Sequence, residues 1–194
     1  MQRLAIAGGI GSGKTAVTDY LSQKGVTIVD ADVVAREVVA PGQPAFRQLV
    51  DAFGRGVVLD DGTLDRALLA DVVFRDASAL RRLNRITHTA IGLEIVQQCE
   101  KAAGALVVVA LPLYRPEHRE IFSLSQVWLI RARPEVVLQR LTTGRHMEAG
   151  DAERRIAAQA SLALPDDAYD AIIDNSGSLA GTFAQADALL EGLA

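Results

Sequence analysis

The residues with the clearest chemistry are Gly8-Gly9-Ile10-Gly11-Ser12-Gly13-Lys14-Thr15. They read G-x-x-x-x-G-K-T, the phosphate-binding P-loop pattern. Glycines let backbone N–H groups turn toward an anion and approach it closely. A helix starting at the end of the loop adds its positive terminus. Lys14 can reach the β- and γ-phosphates, and the Thr15 hydroxyl can ligate Mg2+. The candidate nucleotide-binding residues are therefore Gly9, Ile10, Gly11, Ser12, Gly13, Lys14 and Thr15, with Thr15 also the candidate metal ligand. A chance glycine turn is the competing reading, but the context opposes it. Residues 4–7 are a short apolar run suited to a buried strand, and residues 16–21 have helical apolar spacing.

Two carboxylates form the next group. The β-branched run at residues 26–29 ends in Asp30-Ala31-Asp32. Groups at the carboxyl end of a strand lie on the edge where open α/β sheets bind ligands. For Asp30, helix capping or a turn contact stands beside catalysis. For Asp32 three roles are open: orienting a substrate hydroxyl, accepting its proton, or holding Mg2+.

Arginines form the third group. Six lie between Arg131 and Arg155, with four acids among them. A solvated helical hairpin is the plain reading of such a run. With a P-loop present, the functional reading is a mobile lid over phosphates, with Arg140 the best single candidate. Near the end of the chain, Asn175 in Asn175-Ser176-Gly177-Ser178 is read either as a turn former or as a contact to adenine.

The elements that must position these groups are legible from apolar patterning. Residues 106–111 are continuously apolar and are expected at the centre of a parallel sheet. They run into Pro112-Leu113-Tyr114-Arg115-Pro116 with no Asp at the strand end. Mg2+ would then depend on Thr15, the phosphates, water and Asp32. Residues 126–130 form a further strand, with Trp128 in the core and Pro134 opening a helix. Residues 171–174 form the last strand, and residues 179–193 a closing amphipathic helix. Residues 44–101 show helical spacing and little strand signal. That long insertion either receives a second substrate or only completes the core.

The 194 residues are 49% hydrophobic and 23% charged, which fits one globular domain with a substantial core. A net charge of −4 provides no basic field for nucleic acid. No apolar run reaches membrane-spanning length, and the N-terminus has no signal-peptide pattern. Cys99 is the single cysteine, read as a helix-face packing residue, so no intrachain disulfide is expected. A reducing cytoplasm is the simplest compartment. His118 and His146 are read as surface residues, and no oligomeric state is legible.

Several motifs combine into one pattern. The P-loop, Asp30-Ala31-Asp32 with Ala35-Arg36, His88 with Ile91 and Glu94, Pro112-Leu113, Arg155-Ile156-Ala157-Ala158-Gln159, and Ile173-Asp174-Asn175-Ser176-Gly177 occur in one order. In that order they resemble the dephospho-CoA kinases over nearly the whole chain. The resemblance implies an α/β fold: a three-layer P-loop kinase with a five-stranded parallel sheet. It implies a helical acceptor-binding insertion at about 44–101 and a small lid at about 140–155. It further implies transfer of the ATP γ-phosphoryl group, with Mg2+, to the ribose 3′-hydroxyl of dephospho-CoA. Lys14, Asp32 and Arg140 would be catalytic, with Asp32 as general base and Arg140 on the phosphates. Arg36 and His88 would lie on the acceptor side with Asp32, and Asn175 near the adenine. Departures from the family pattern are Thr89 after His88, Tyr114-Arg115-Pro116 after Pro112-Leu113, Ala110 two residues before Pro112, and Gly144 in the lid. They motivate two other readings: a P-loop kinase for another small hydroxyl acceptor, and a nucleotide-binding protein with little transfer activity.

Overall fold

A computed structural model describes residues 1–193. The chain divides into two compact units, one of residues 1–30 with 102–194, the other of residues 31–101.

The first unit is built on five parallel strands: β1 (Gln2–Ala7), β2 (Thr27–Asp30), β3 (Leu106–Leu111), β4 (Gln126–Arg131) and β5 (Ala171–Asp174). Their order is β2-β3-β1-β4-β5. This is the α/β class with the five-stranded parallel sheet that the motifs implied. β3 lies inside the sheet, between β2 and β1, as its apolar run predicts, and β1 holds the middle position. β3 throughout and β1 from Leu4 to Ala7 are continuously apolar because both faces are buried there. Strand order is set by the crossovers, which hydrophobicity does not encode.

The helices of the chain are α1 (Lys14–Gln23), α2 (Ala31–Glu37), α3 (Pro44–Phe53), α4 (Arg66–Arg75), α5 (Ala77–Lys101), α6 (Glu117–Ile121), α7 (Pro134–Gln139), α8 (Ala149–Ala160) and α9 (Leu179–Glu191). Alternate residues Leu4, Ile6, Val108, Trp128, Ile130 and Ile173 turn to one face of the sheet. They bury Val17 and Leu21 of α1 and Ala186 of α9 there. Trp128 is fully buried, and its indole N–H donates to Gln126 Oε1 at 2.8 Å, so its one polar atom is satisfied. The rings of Tyr20 and Phe183 stack 4.1 Å apart. Asp187 Oδ2 accepts from Tyr20 Oη, and its Oδ1 accepts from Lys24 Nζ, each at 2.6 Å. These contacts fix α1, the helix that opens at the P-loop, against α9.

The second unit is helical, apart from an isolated antiparallel bridge between Val58 and Leu64. The long insertion thus begins at Ala31, earlier than its apolar spacing suggested. The five-residue α6 has no buried residue and left no periodic signal. His118, expected on the surface, is partly buried, with its ring 5.4 Å from Phe122 and 6.2 Å from Tyr114. None of the described helices is long and apolar enough to cross a membrane.

Candidate active site

The sheet turns its chain direction at β1. From β1 the path runs toward β2 on one side, and from β4 it runs toward β5 on the other. Ligands of open α/β sheets bind outside the carboxyl ends at such a switch point. The P-loop leaves β1 there. A cavity of about 290 Å3 opens beside it, lined by Gly9, Ile10, Tyr114, Val137, Ile156 and Gln159 among others.

The loop ends in Gly13 at φ +91°, and α1 starts at Lys14 with neither a side-chain cap nor an acid in its first turn. The helix therefore presents an uncapped, positively polarised end. Gly11 has φ +72°, and a Cβ there would stand 2.9 Å from Val137 Cγ1. The loop is thus packed from behind and open in front.

Two side chains from far along the chain hold that back. Asn175 Nδ2 donates to Ser12 O at 2.8 Å. Arg140 Nη1 donates to Gly11 O at 3.2 Å and to Ser12 O at 3.4 Å, and its Nη2 donates to Asn175 O at 2.8 Å. In a trans peptide the carbonyl and the following N–H point in opposite directions. Holding the Ser12 carbonyl from behind therefore turns the Gly13 N–H the other way. The Ser12 hydroxyl is buried and has no hydrogen-bond partner. An anion oxygen seated in the loop would relieve that unsatisfied donor.

These positions give two of the candidate residues a structural role. Asn175 was expected near adenine. It is 1% exposed, and its Oδ1 accepts from Thr182 Oγ1 at 2.8 Å while its Nδ2 is on Ser12. Its polar ends are committed inside the protein. Arg140, the candidate for the phosphates, places its fork on three backbone carbonyls. Nothing local in the sequence signals either contact. Asn175→Ala is expected to leave the Ser12 carbonyl with only the longer 3.4 Å bond from Arg140, at a cost of about 1–3 kcal/mol. A thermal melt should register that loss, and nucleotide titration should show weaker binding.

Beyond α7 the chain makes one π-type turn over Arg140–Gly144, and π turns recur at functional sites. His146 then takes φ +51°, and α8 begins. Glu148 caps α8, with its side chain accepting from Asp151 N. The backbone N–H groups of Gly150 and Asp151 hold its carboxyl below the ordinary value of 4.5. The cap's contribution is present above that value and is lost as pH falls through the lowered one. Arg154 and Arg155 pair with Asp151 at 3.5 and 3.0 Å. Gln159, near the end of α8, accepts from Ile10 N at 2.7 Å. The sequence reading assigned Gln159 no role.

In the helical unit, Asp32 and Arg36 lie in the first and last turns of α2, and both are exposed. Four residues apart, they share a helix face. His88 is exposed on α5, along which Glu94 Oε1 accepts from Gln98 Nε2 at 3.0 Å. A cavity of about 350 Å3 within this unit is lined by Gln43, Gln48, Ile86, Thr89, Leu93 and Gln97 among others. Asp32, Arg36 and His88 are not among its lining residues. Thr89, noticed in the sequence only as a departure, is one of them. Among the described residues, no group of three or more His, Cys, Asp or Glu side chains is placed to hold a metal ion.

Comparison with known proteins agrees with this geometry. Residues 3–181 match the family model for dephospho-CoA kinase (CoaE). The chain is 43% identical to the dephospho-CoA kinase of Leifsonia xyli subsp. xyli, covering 100% of this chain and 99% of that one. In fold it is similar to the crystal structure of a Thermus thermophilus protein, with a TM-score of 0.78 at 23% identity, covering 100% and 98% of the two chains. It is also similar in fold to a dephospho-CoA kinase from Campylobacter jejuni, with a TM-score of 0.64 at 21% identity, covering 100% and 97%. With a P-loop at the switch point of its sheet and these matches along its length, the chain belongs to the dephospho-CoA kinase family.

Proposed function

We propose that the chain transfers the γ-phosphoryl group of ATP to the ribose 3′-hydroxyl of dephospho-CoA, giving CoA and ADP. The observation that carries this reading is the phosphate cradle at Gly8–Thr15, uncapped in front and braced behind, in a chain of this family. Phosphoryl transfer asks a protein for positioning and charge stabilisation more than for covalent chemistry.

The loop N–H groups and the start of α1 hold the donor's phosphates. Lys14, the first residue of α1, places its ammonium on the β- and γ-phosphate oxygens. Arg140 and Asn175 act one layer back, holding the loop carbonyls so that the cradle keeps its shape. The helical unit receives the acceptor, with Arg36 and His88 on that side, and α8 with the turn before it serves as the lid. Asp32 accepts the proton of the 3′-hydroxyl as its oxygen bonds to the γ-phosphorus. The bond from that phosphorus to the β–γ bridging oxygen breaks, and the electron pair leaves with ADP. Mg2+, ligated by the Thr15 hydroxyl together with phosphate oxygens and water, supplies charge neutralisation when bound. The cytoplasm is the compartment in which this chemistry is proposed to run.

The test is a coupled assay of ADP release with dephospho-CoA. ADP should appear only when the acceptor is present. Folded protein that binds ATP yet shows no release above the ATP-only background would overturn the assignment. A panel of nucleosides and other small hydroxyl acceptors at fixed ATP then measures selectivity, with dephospho-CoA expected to lead.

A further inference from the structure

The hydrogen bond from Ile10 N–H to Gln159 has no place in the scheme above. It spans 149 residues of sequence and is exposed to solvent. Its donor is a backbone amide of the phosphate loop, a group whose ordinary acceptor in such loops is a phosphate oxygen. Its acceptor is the amide oxygen of a side chain. Gln159 Oε1 reaches so far into the loop that a Cβ on Gly9 would stand 2.6 Å from it. Ile10 is also held on its other side. Its side chain packs against the cluster of Val137, Leu141 and Ala152, together with Ile156. Ile156 lies one turn before Gln159 on α8, so one helix face grips Ile10 by its side chain and by its N–H.

We propose that Gln159 is a positioning residue through which α8 distinguishes a nucleoside triphosphate from a diphosphate. The inference rests on the reading of the loop as the ATP site. A neutral amide oxygen is a weaker acceptor than a phosphate oxygen, because hydrogen bonds to ionised groups are roughly twice as strong. Where the nucleotide carries a terminal phosphoryl group, its oxygen displaces Gln159 Oε1 from Ile10 N–H. The glutamine side chain also carries two N–H donors, so after rotation it can donate to that same oxygen. A diphosphate lacks the terminal group, and Gln159 stays on Ile10. The two nucleotides thus leave α8 attached to the loop through different bonds. The choice is local to the loop and its lid, with no part for the acceptor.

The test uses the full chain without acceptor. Wild type, Gln159→Leu and Gln159→Glu are titrated calorimetrically with ADP and with a non-hydrolysable β,γ-imido analogue of ATP. Hydrogen exchange at the Ile10 amide is followed in each complex. Wild type should favour the triphosphate analogue, with Ile10 protected differently in the two complexes. Gln159→Leu should reduce the triphosphate-over-diphosphate preference by roughly tenfold, about the size of one charge-assisted hydrogen bond. ADP affinity should change less than about twofold, well under the 1.4 kcal/mol that a tenfold change represents. Gln159→Glu places a carboxylate where the phosphate must come, and should weaken the analogue by more than Gln159→Leu does. Gln159 is exposed, so both variants are expected to melt as wild type does. If Gln159→Leu keeps the wild-type preference and the wild-type exchange pattern, the bond is only structural and the proposal falls. If wild type itself binds neither nucleotide, the proposal falls together with the reading of the loop, and the failure is visible before any variant is measured.

Discussion

Asp32→Asn is expected to bind ATP as wild type does and to lose turnover by about two to four orders of magnitude, the range that a positioned general base supplies. The amide has the shape of the carboxylate and can still hold the acceptor hydroxyl by a hydrogen bond. It cannot take the proton. The loss should therefore fall on kcat, with KM for dephospho-CoA changed little, as for an interaction realised only in the transition state. Asp32 is exposed at the start of α2, and a thermal melt of the same variant separates any effect on the fold from the effect on turnover. Steady-state ADP release and calorimetric ATP binding on the same preparation separate the two effects. Turnover near that of wild type would remove Asp32 from the base role and leave it an orienting group.

Gly13→Ala should be the most damaging single methyl in the chain. At φ +91° an alanine carries roughly 1–2 kcal/mol of backbone strain. Its Cβ would also overlap Asn175 Nδ2 and stand 3.2 Å from Asn175 Cγ. Asn175 cannot yield cheaply, being 1% exposed and bonded to both Ser12 and Thr182. Either it swings away and abandons the Ser12 carbonyl, at about 1–3 kcal/mol for a buried bond lost, or the loop moves off its brace. Together these costs come to about 2–5 kcal/mol, a fall in melting temperature on the order of 10 °C for a chain of this size. ATP affinity should drop at least roughly tenfold, because the Gly13 N–H is one of the groups aimed at the phosphates. A thermal melt and an ATP titration check both parts, and an unchanged affinity would show that the brace is dispensable.

What the sequence discloses here depends on how local each determinant is. The strands β1, β3 and β4 are legible because burial on both faces forces continuous apolar runs. The phosphate loop is legible because its glycines and Lys14 act within eight consecutive positions. The order of the strands is not local, and the apolar runs carry no sign of it. Arg140 and Asn175 are legible as candidate ligand contacts and Gln159 as part of a motif, but their contacts to the loop are not. Their partners lie 128 to 163 residues away, and no periodicity links them to the loop. For the same reason a direct ligand contact is the natural expectation for Arg140 and Asn175, and their hold on the loop's carbonyls is visible only in the structure. The cavity lined by Thr89 was hidden differently, because its walls come from α3 and α5 and no single helix face carries it.

The brace on Ser12 also sets a timetable for the chain. Synthesis runs from the N-terminus, so the phosphate loop leaves the ribosome well before Asn175 does. Its Asn175 strut comes from the turn after the last strand, 163 residues later. Contacts of such long sequence separation form late, because the intervening chain must be ordered first. The nascent protein thus carries its whole nucleotide motif through the 163 residues between Ser12 and Asn175 without the strut on the Ser12 carbonyl. An early segment waits on a late one, and a chain cut short before Asn175 carries the signature of a kinase without this strut.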